Sequence, residues 1–234
     1  MLKRFSPELR AGAVAVAPML VGVIPFGLVA GATPVTDGFG GAAAVGFSTV
    51  VFAGASQLAA LDALAHGASV LVAVLAACTI NLRMLLYSAS ISPYLTDEPL
   101  PRRLGVAYLL TDQAYAVSIA RWSAEDDDRP RLPYFLGAGL LLWVSWQLST
   151  IVGAVVGSAV PADVPLDFAV PLVFLVLLVP TLTSRPAVIA AAVGGGAAVA
   201  AGEAGAGPLY VIVGALSGIA AGAVADGLED RGRP

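Results

Sequence analysis

Of 234 residues, 58% are hydrophobic and 12% charged, and the formal net charge is −4. Soluble domains carry about 25% charged residues, so this composition excludes a water-clothed globule, and long unbroken apolar runs exclude an alternating β-barrel. Mean hydropathy is +0.87, and a crossing needs roughly 20 apolar residues. Residues 1–234 therefore read as a single all-α domain, a polytopic transmembrane bundle of about seven to eight helices, some of them broken.

Eight apolar segments fall at 11–32, 40–61, 67–92, 103–122, 134–160, 166–182, 186–201 and 207–226. No small-residue cleavage signal follows the basic start, Met1 to Arg10, so the first run reads as a retained helix, kinked at Pro18 and Pro25. Phe52-Ala53-Gly54-Ala55-Ser56-Gln57 in the second run marks a place where a helix can break and offer backbone amides to a ligand. Ser56 and Gln57 are its candidate binding residues. Only Asp62 to His66 separates the second and third runs, which predicts a tight hairpin or a re-entrant pair.

The third run carries Asn81 and Arg83. Thr79, Arg83 and Tyr87 share a face at i, i+4 spacing, whereas Asn81 lies about 200° round from Arg83 unless the helix unwinds. Arg83 has three readings: snorkelling to the interface, pairing with Asp112, or holding a substrate carboxylate in its guanidinium fork. Asp112 stands near the middle of the fourth run, on a Tyr108-x3-Asp112-x2-Tyr115 stripe. Nine residues separate it from both Arg103 and Arg121, about 13 Å along a helix. A short carboxylate cannot reach water over that distance, so it must be protonated, paired or hydrated, and it is either a proton carrier or a structural partner. Trp143, Gln147 and Thr150 form a stripe on the fifth run, with Gln147 a further candidate for binding. Gly153 with Gly157, and Gly214 with Gly218 and Gly222, repeat every four residues and read as smooth helix contacts. Tyr87 and Tyr94 lie towards a segment end, where such rings favour the interface.

Lys and Arg of the short loops place both termini on the cytoplasmic side of the cell membrane, with about nine basic residues inside. Arg102 and Arg103 are the discord, falling outside in this count. A displacement of 90 residues lays 11–95 over 103–185, matching Gln57-Leu58 to Gln147-Leu148, and raises the expectation of a three-plus-three inverted repeat. The acidic run Glu125-Asp126-Asp127-Asp128 reads as a solvated connection, lone Cys78 as a small core residue, and His66 with Asp62 as a surface pair. No catalytic triad, Walker loop, CxxC or set of metal ligands is visible, and no basic patch with interleaved aromatics, so an enzyme, a cofactor and a nucleic-acid partner are not expected.

Phe52-Ala53-Gly54-Ala55-Ser56-Gln57, Asn81-Leu82-Arg83 leading to Ser90-Ile91-Ser92-Pro93, Leu110-Thr111-Asp112, and Trp146-Gln147-Leu148-Ser149-Thr150 with Gly153 together resemble the AzlC family, in family order. The resemblance implies a branched-chain amino acid permease or exporter that works with a small second membrane subunit, AzlD. The chain departs from the family pattern at Met84, where histidine is usual after the arginine, and at Gln113, where glutamate is usual after the aspartate. Asp112 is then left to carry a coupling proton alone. The resulting expectation is the large subunit of a proton-coupled secondary transporter with Ser56, Gln57, Asn81, Arg83, Asp112 and Gln147 around its substrate. The alternatives are a channel for small solutes or ions and a structural membrane subunit.

Overall fold

The structure, a computed structural model, describes residues 2–123, 129–159, 175, 178, 182–206 and 209–231. Nearly all of the expected segment 166–182, and the acidic run from Glu125 to Asp128, lie outside the described residues. Every regular element among the described residues is helical, in agreement with the expected class: α1 Leu2–Val16, α2 Leu20–Thr36, α3 Gly41–Val50, α4 Gly54–Ala65, α5 Val70–Ile91, α6 Leu100–Tyr108, α7 Asp112–Trp122, α8 Arg131–Ala159, α9 Arg185–Glu203 and α10 Tyr210–Arg231. Among these residues Pro7–Thr36, Val70–Leu95, Arg131–Ala159, Arg185–Glu203 and Tyr210–Glu229 are long and apolar enough to cross a bilayer. The chain divides into two compact units, Met1–Gly54 with Leu82–Pro165, and Ala55–Asn81 with Leu166–Pro234.

In the first unit, α1 and α2 form a nearly continuous rod. Pro18 lacks an N–H, and the chain tightens there into a 3-10 turn at Ala17–Met19. The rod runs alongside α8 in the same direction: the Leu9 carbonyl meets Gly137, the Leu28 carbonyl meets Gly153, and Ala32 meets Gly157. A Cβ at Gly137 or Gly153 would strike those backbone atoms, so glycine is what allows the rods to approach so closely. The predicted contact role of Gly153 and Gly157 agrees with this packing.

Two of the expected crossings are broken. Residues 51–53 interrupt the second run between α3 and α4, as its small residues predict, and Phe52 takes a positive φ of 43°. Gly54 follows because a side chain there would run into the rings of Trp146 and Phe26. The fourth run differs from expectation. It is not one helix: α6 ends at Tyr108 and α7 begins at Asp112. The Thr111 hydroxyl accepts from the Ala114 N–H and caps α7, and Asp112 sits in the first turn, where a carboxylate suits the helix dipole. The supposed Tyr108–Asp112–Tyr115 stripe is therefore divided between two helices.

These half-helices go out and come back. Tyr94, ahead of α6, lies with its ring 5.7 Å from that of Trp122 at the end of α7. Arg131 stacks over Tyr94 at 5.0 Å, Arg121 pairs with Glu8, and Arg102 binds Glu98. Glu98 in turn lines one cavity with Arg129 and Arg131. Arg102 and Arg103 thus share an end of this unit with Arg121, Arg129 and Arg131, and neither α6 nor α7 is among the helices long and apolar enough to cross a bilayer. The turn of the hairpin, 109–111, lies within the length of α8 and not at its end: Leu109 rests on Gly139, eight residues into that 29-residue helix, about 12 Å from its start.

In the second unit α9 and α10 pack through small residues. Gly194 meets Gly214 and Gly218, and Gly222 meets Ala190, which agrees with the smooth face expected of the glycine repeat. The Tyr210 hydroxyl donates to Asp62 Oδ2 at 2.7 Å and joins α10 to α4.

Candidate functional site

The break before α7 places Asp112 opposite the last turns of α5. Arg83 Nη1 lies 3.0 Å from Asp112 Oδ1, and the Tyr87 hydroxyl donates to the same oxygen at 2.9 Å. Of the three readings of Arg83, pairing with Asp112 is the one observed. The pair is not sealed: the Arg83 and Asp112 side chains are 36% and 37% exposed. Arg83 engages through Nη1 alone, and its Nε is buried without a partner. The fork therefore keeps one unsatisfied donor, of the type that a carboxylate accepts but closed off from the surface in this arrangement.

Tyr87 is a braced ring. It stacks on Tyr115 with centroids 4.3 Å apart and planes 14° from parallel, and the Tyr115 hydroxyl donates to Ser90 Oγ at 3.0 Å. Sequence reasoning missed this brace, although Arg83, Tyr87 and Ser90 at i, i+4 and i+7 already marked one polar face of α5.

A second polar cluster closes the end of α3. Gln147 Nε2 donates to the Ser48 carbonyl at 3.0 Å, and its Oε1 accepts from the Thr49 hydroxyl at 3.3 Å. Ser48 and Thr150 hydroxyls lie 2.9 Å apart. The Tyr108 hydroxyl donates to the Thr49 carbonyl at 2.7 Å and accepts from Trp143 Nε1 at 2.8 Å. The physical reason is the break: the last carbonyls of a helix lose their intrahelical partners and need others when buried. The Trp143, Gln147, Thr150 stripe supplies them. Gln147→Leu should lower the thermal stability of the purified protein by roughly 2 kcal/mol, since it strands a buried carbonyl, and melting in detergent measures this.

The remaining candidates belong to the second unit. Ser56 and Gln57 are fully buried in the first turn of α4. The Asn81 side-chain oxygen is buried without a partner. The helix α5 is unbroken from Val70 to Ile91, so no local unwinding turns Asn81 towards the Arg83 face. His66 is exposed beside Asp62, with Nδ1 2.9 Å from the Asp62 carbonyl oxygen. Among the described residues no three His, Cys, Asp or Glu side chains gather as a metal ion would require.

Comparison with known proteins agrees with the resemblance read from the motifs. The chain is 33% identical over 198 residues to an uncharacterized membrane protein of Archaeoglobus fulgidus, covering 82% of this chain and 83% of that one. It is 28% identical over 167 residues to the inner membrane protein YgaZ of Escherichia coli strain K12, covering 69% of this chain and 68% of that protein. No solved structure matches. The profile described as AzlC protein matches residues 18–160, more than half of the chain and the part that holds both helix breaks, the Arg83–Asp112 pair and Gln147; the chain belongs to the AzlC family.

Proposed function

We propose that this protein is the large subunit of a proton-coupled secondary transporter that exports branched-chain amino acids. Membership of a membrane-transport family and its membrane-protein relatives support the transport role. The observation that carries the finer reading is the Arg83–Asp112 pair at a helix break within the length of α8, one-third exposed and with one donor of the arginine unsatisfied. A zwitterion separates the pair: its carboxylate takes the guanidinium fork, and Asp112 receives the ammonium or a proton. Charges at such depth face a cavity or a pathway because hydrocarbon cannot solvate them. Broken helices are the devices by which transporters expose polar backbone near the midplane.

The basic end of the first unit faces the cytoplasm in this proposal, by the positive-inside rule. A small AzlD-like membrane subunit completes the transporter. The exposed leucines and valines of α9 and α10 are available to lipid or to that subunit. Purified protein reconstituted with the small subunit should move labelled valine or leucine under a pH gradient, with saturation and counter-exchange. Flux no greater than in empty vesicles would refute the proposal.

A further inference from the structure

Arg83, Tyr87 and Ser90 follow one another at i, i+4 and i+7, a polar line down the last turns of α5, and Tyr94 stands in the 3-10 turn Ser92–Leu95 that follows. Asp112, Tyr115, Ser118 and Trp122 fall within a sector of about 120° on α7. The two lines meet rung by rung. Asp112 binds Arg83 and Tyr87, Tyr115 stacks on Tyr87 and binds Ser90, and Trp122 lies 5.7 Å from Tyr94. Tyr94 also lines a cavity of about 280 Å³ with Asp97, Glu98, Arg129 and Arg131. Polar side chains thus run without interruption from the Arg83–Asp112 pair to the basic end of the unit.

We propose that this seam between α5 and α7 is a one-sided water path that brings solvent from the basic end to the Arg83–Asp112 pair. Three observations carry it. The pair is about one-third exposed at a depth where contact with lipid is prohibitive, so its open surface must face water. Ser118 Oγ and Trp122 Nε1, both almost wholly buried, have no partner in the protein, and water is the ligand that satisfies such atoms. Beyond Arg83, towards the start of α5, the exposed side chains are Leu82, Cys78, Leu75, Val74, Leu71 and Val70, and the Thr79 hydroxyl is taken by the Leu75 carbonyl, so this stretch offers water little. The use of the path for solute or proton entry rests on the transport reading above; its hydration does not.

The test places single cysteines in a Cys78→Ser background: Ser90→Cys on the seam, Leu86→Cys on the exposed apolar side of the same helix, and Asp97→Cys at the cavity to report which face is labelled. A membrane-impermeant cationic methanethiosulfonate is added to vesicles of each orientation. A thiol reacts as its thiolate, which forms in water and not in hydrocarbon. Ser90→Cys should react at least tenfold faster than Leu86→Cys from the face that labels Asp97→Cys, and not from the other. Should Ser90→Cys fail to reach the membrane, Ser118→Cys answers the same question. A seam cysteine that reacts no faster than Leu86→Cys, or equally from both faces, overturns the one-sided path. Labelling is read without any flux, so a protein that labels as expected but moves no amino acid refutes the transport reading alone.

Discussion

Arg83→Ala should reduce amino-acid flux by about a hundredfold, and neutralising Asp112 as well should restore the stability of the protein but not its flux. The single change leaves the Asp112 carboxylate at the helix break with the Tyr87 hydroxyl as its side-chain donor and the N-terminus of α7 beneath it. Breaking a buried pair from one side costs several kcal/mol, and the exposure of this pair reduces that to roughly 1–2 kcal/mol. In Arg83→Leu/Asp112→Asn no unpaired charge remains, and melting should return close to that of the parent. Flux is different, because a substrate carboxylate that loses a charged hydrogen-bonding partner in a partly dry site forfeits roughly 3 kcal/mol, about two decades in affinity. Reconstituted flux and melting, measured on the same three preparations, separate the two roles. A double variant that regains both would make the pair purely structural.

Both ends of that pair were legible in the sequence, but their setting was not. Charges are scarce in this chain, so an arginine and an aspartate inside apolar runs stand out, and pairing was one of the few states open to them. The break at Asp112 was hidden because 103–122 is long and apolar enough to pass for a crossing. Two signals pointed the other way. Thr111 before Asp112 is an N-cap followed by an acidic first turn, a helix start in its own right. Arg102-Arg103 on the wrong side of the charge count was the second, and an out-and-back hairpin is the topology that removes it. The break in 40–61 was readable because small residues and glycine leave the chain free to turn there. The part played by Gln147 was not readable from sequence, since it depends on which carbonyls are orphaned by a break about 100 residues away, at Ser48 and Thr49. Likewise the bracing of Tyr87 is not readable until α7 is known to run beside it, because its position along α5 suits an interfacial ring equally.

Gly153→Val should prevent the first unit from folding, the largest stability effect expected of a single substitution here. The α2–α8 contact is made backbone to backbone: a Cβ at Gly153 would strike the Leu28 carbonyl, and one at Gly31 would strike the Thr150 carbonyl. A flexible side chain can swing away from such a clash, but a carbonyl inside a helix cannot without breaking its own hydrogen bond. The rods must then separate along their length, which also removes the neighbouring contacts at Gly27 and Gly157. Overpacking of this kind costs about 3 kcal/mol or more when the obstructing atoms are fixed. Gly153→Ala should already lower melting measurably. Gly46 is the control, for it lies in α3 with nothing within 4 Å of a Cβ, and Gly46→Ala should be neutral or gain roughly 0.5–1 kcal/mol from helix propensity. The yield of monodisperse protein and its melting in detergent decide the matter. The consequence reaches the site as well, since α8 carries Trp143, Gln147 and Thr150, which hold the end of α3 and, through Tyr108, the hairpin that presents Asp112. A Gly153→Val protein that melts like the parent would mean that α2 and α8 are not held at this distance, and the positions of both helix breaks would lose their support.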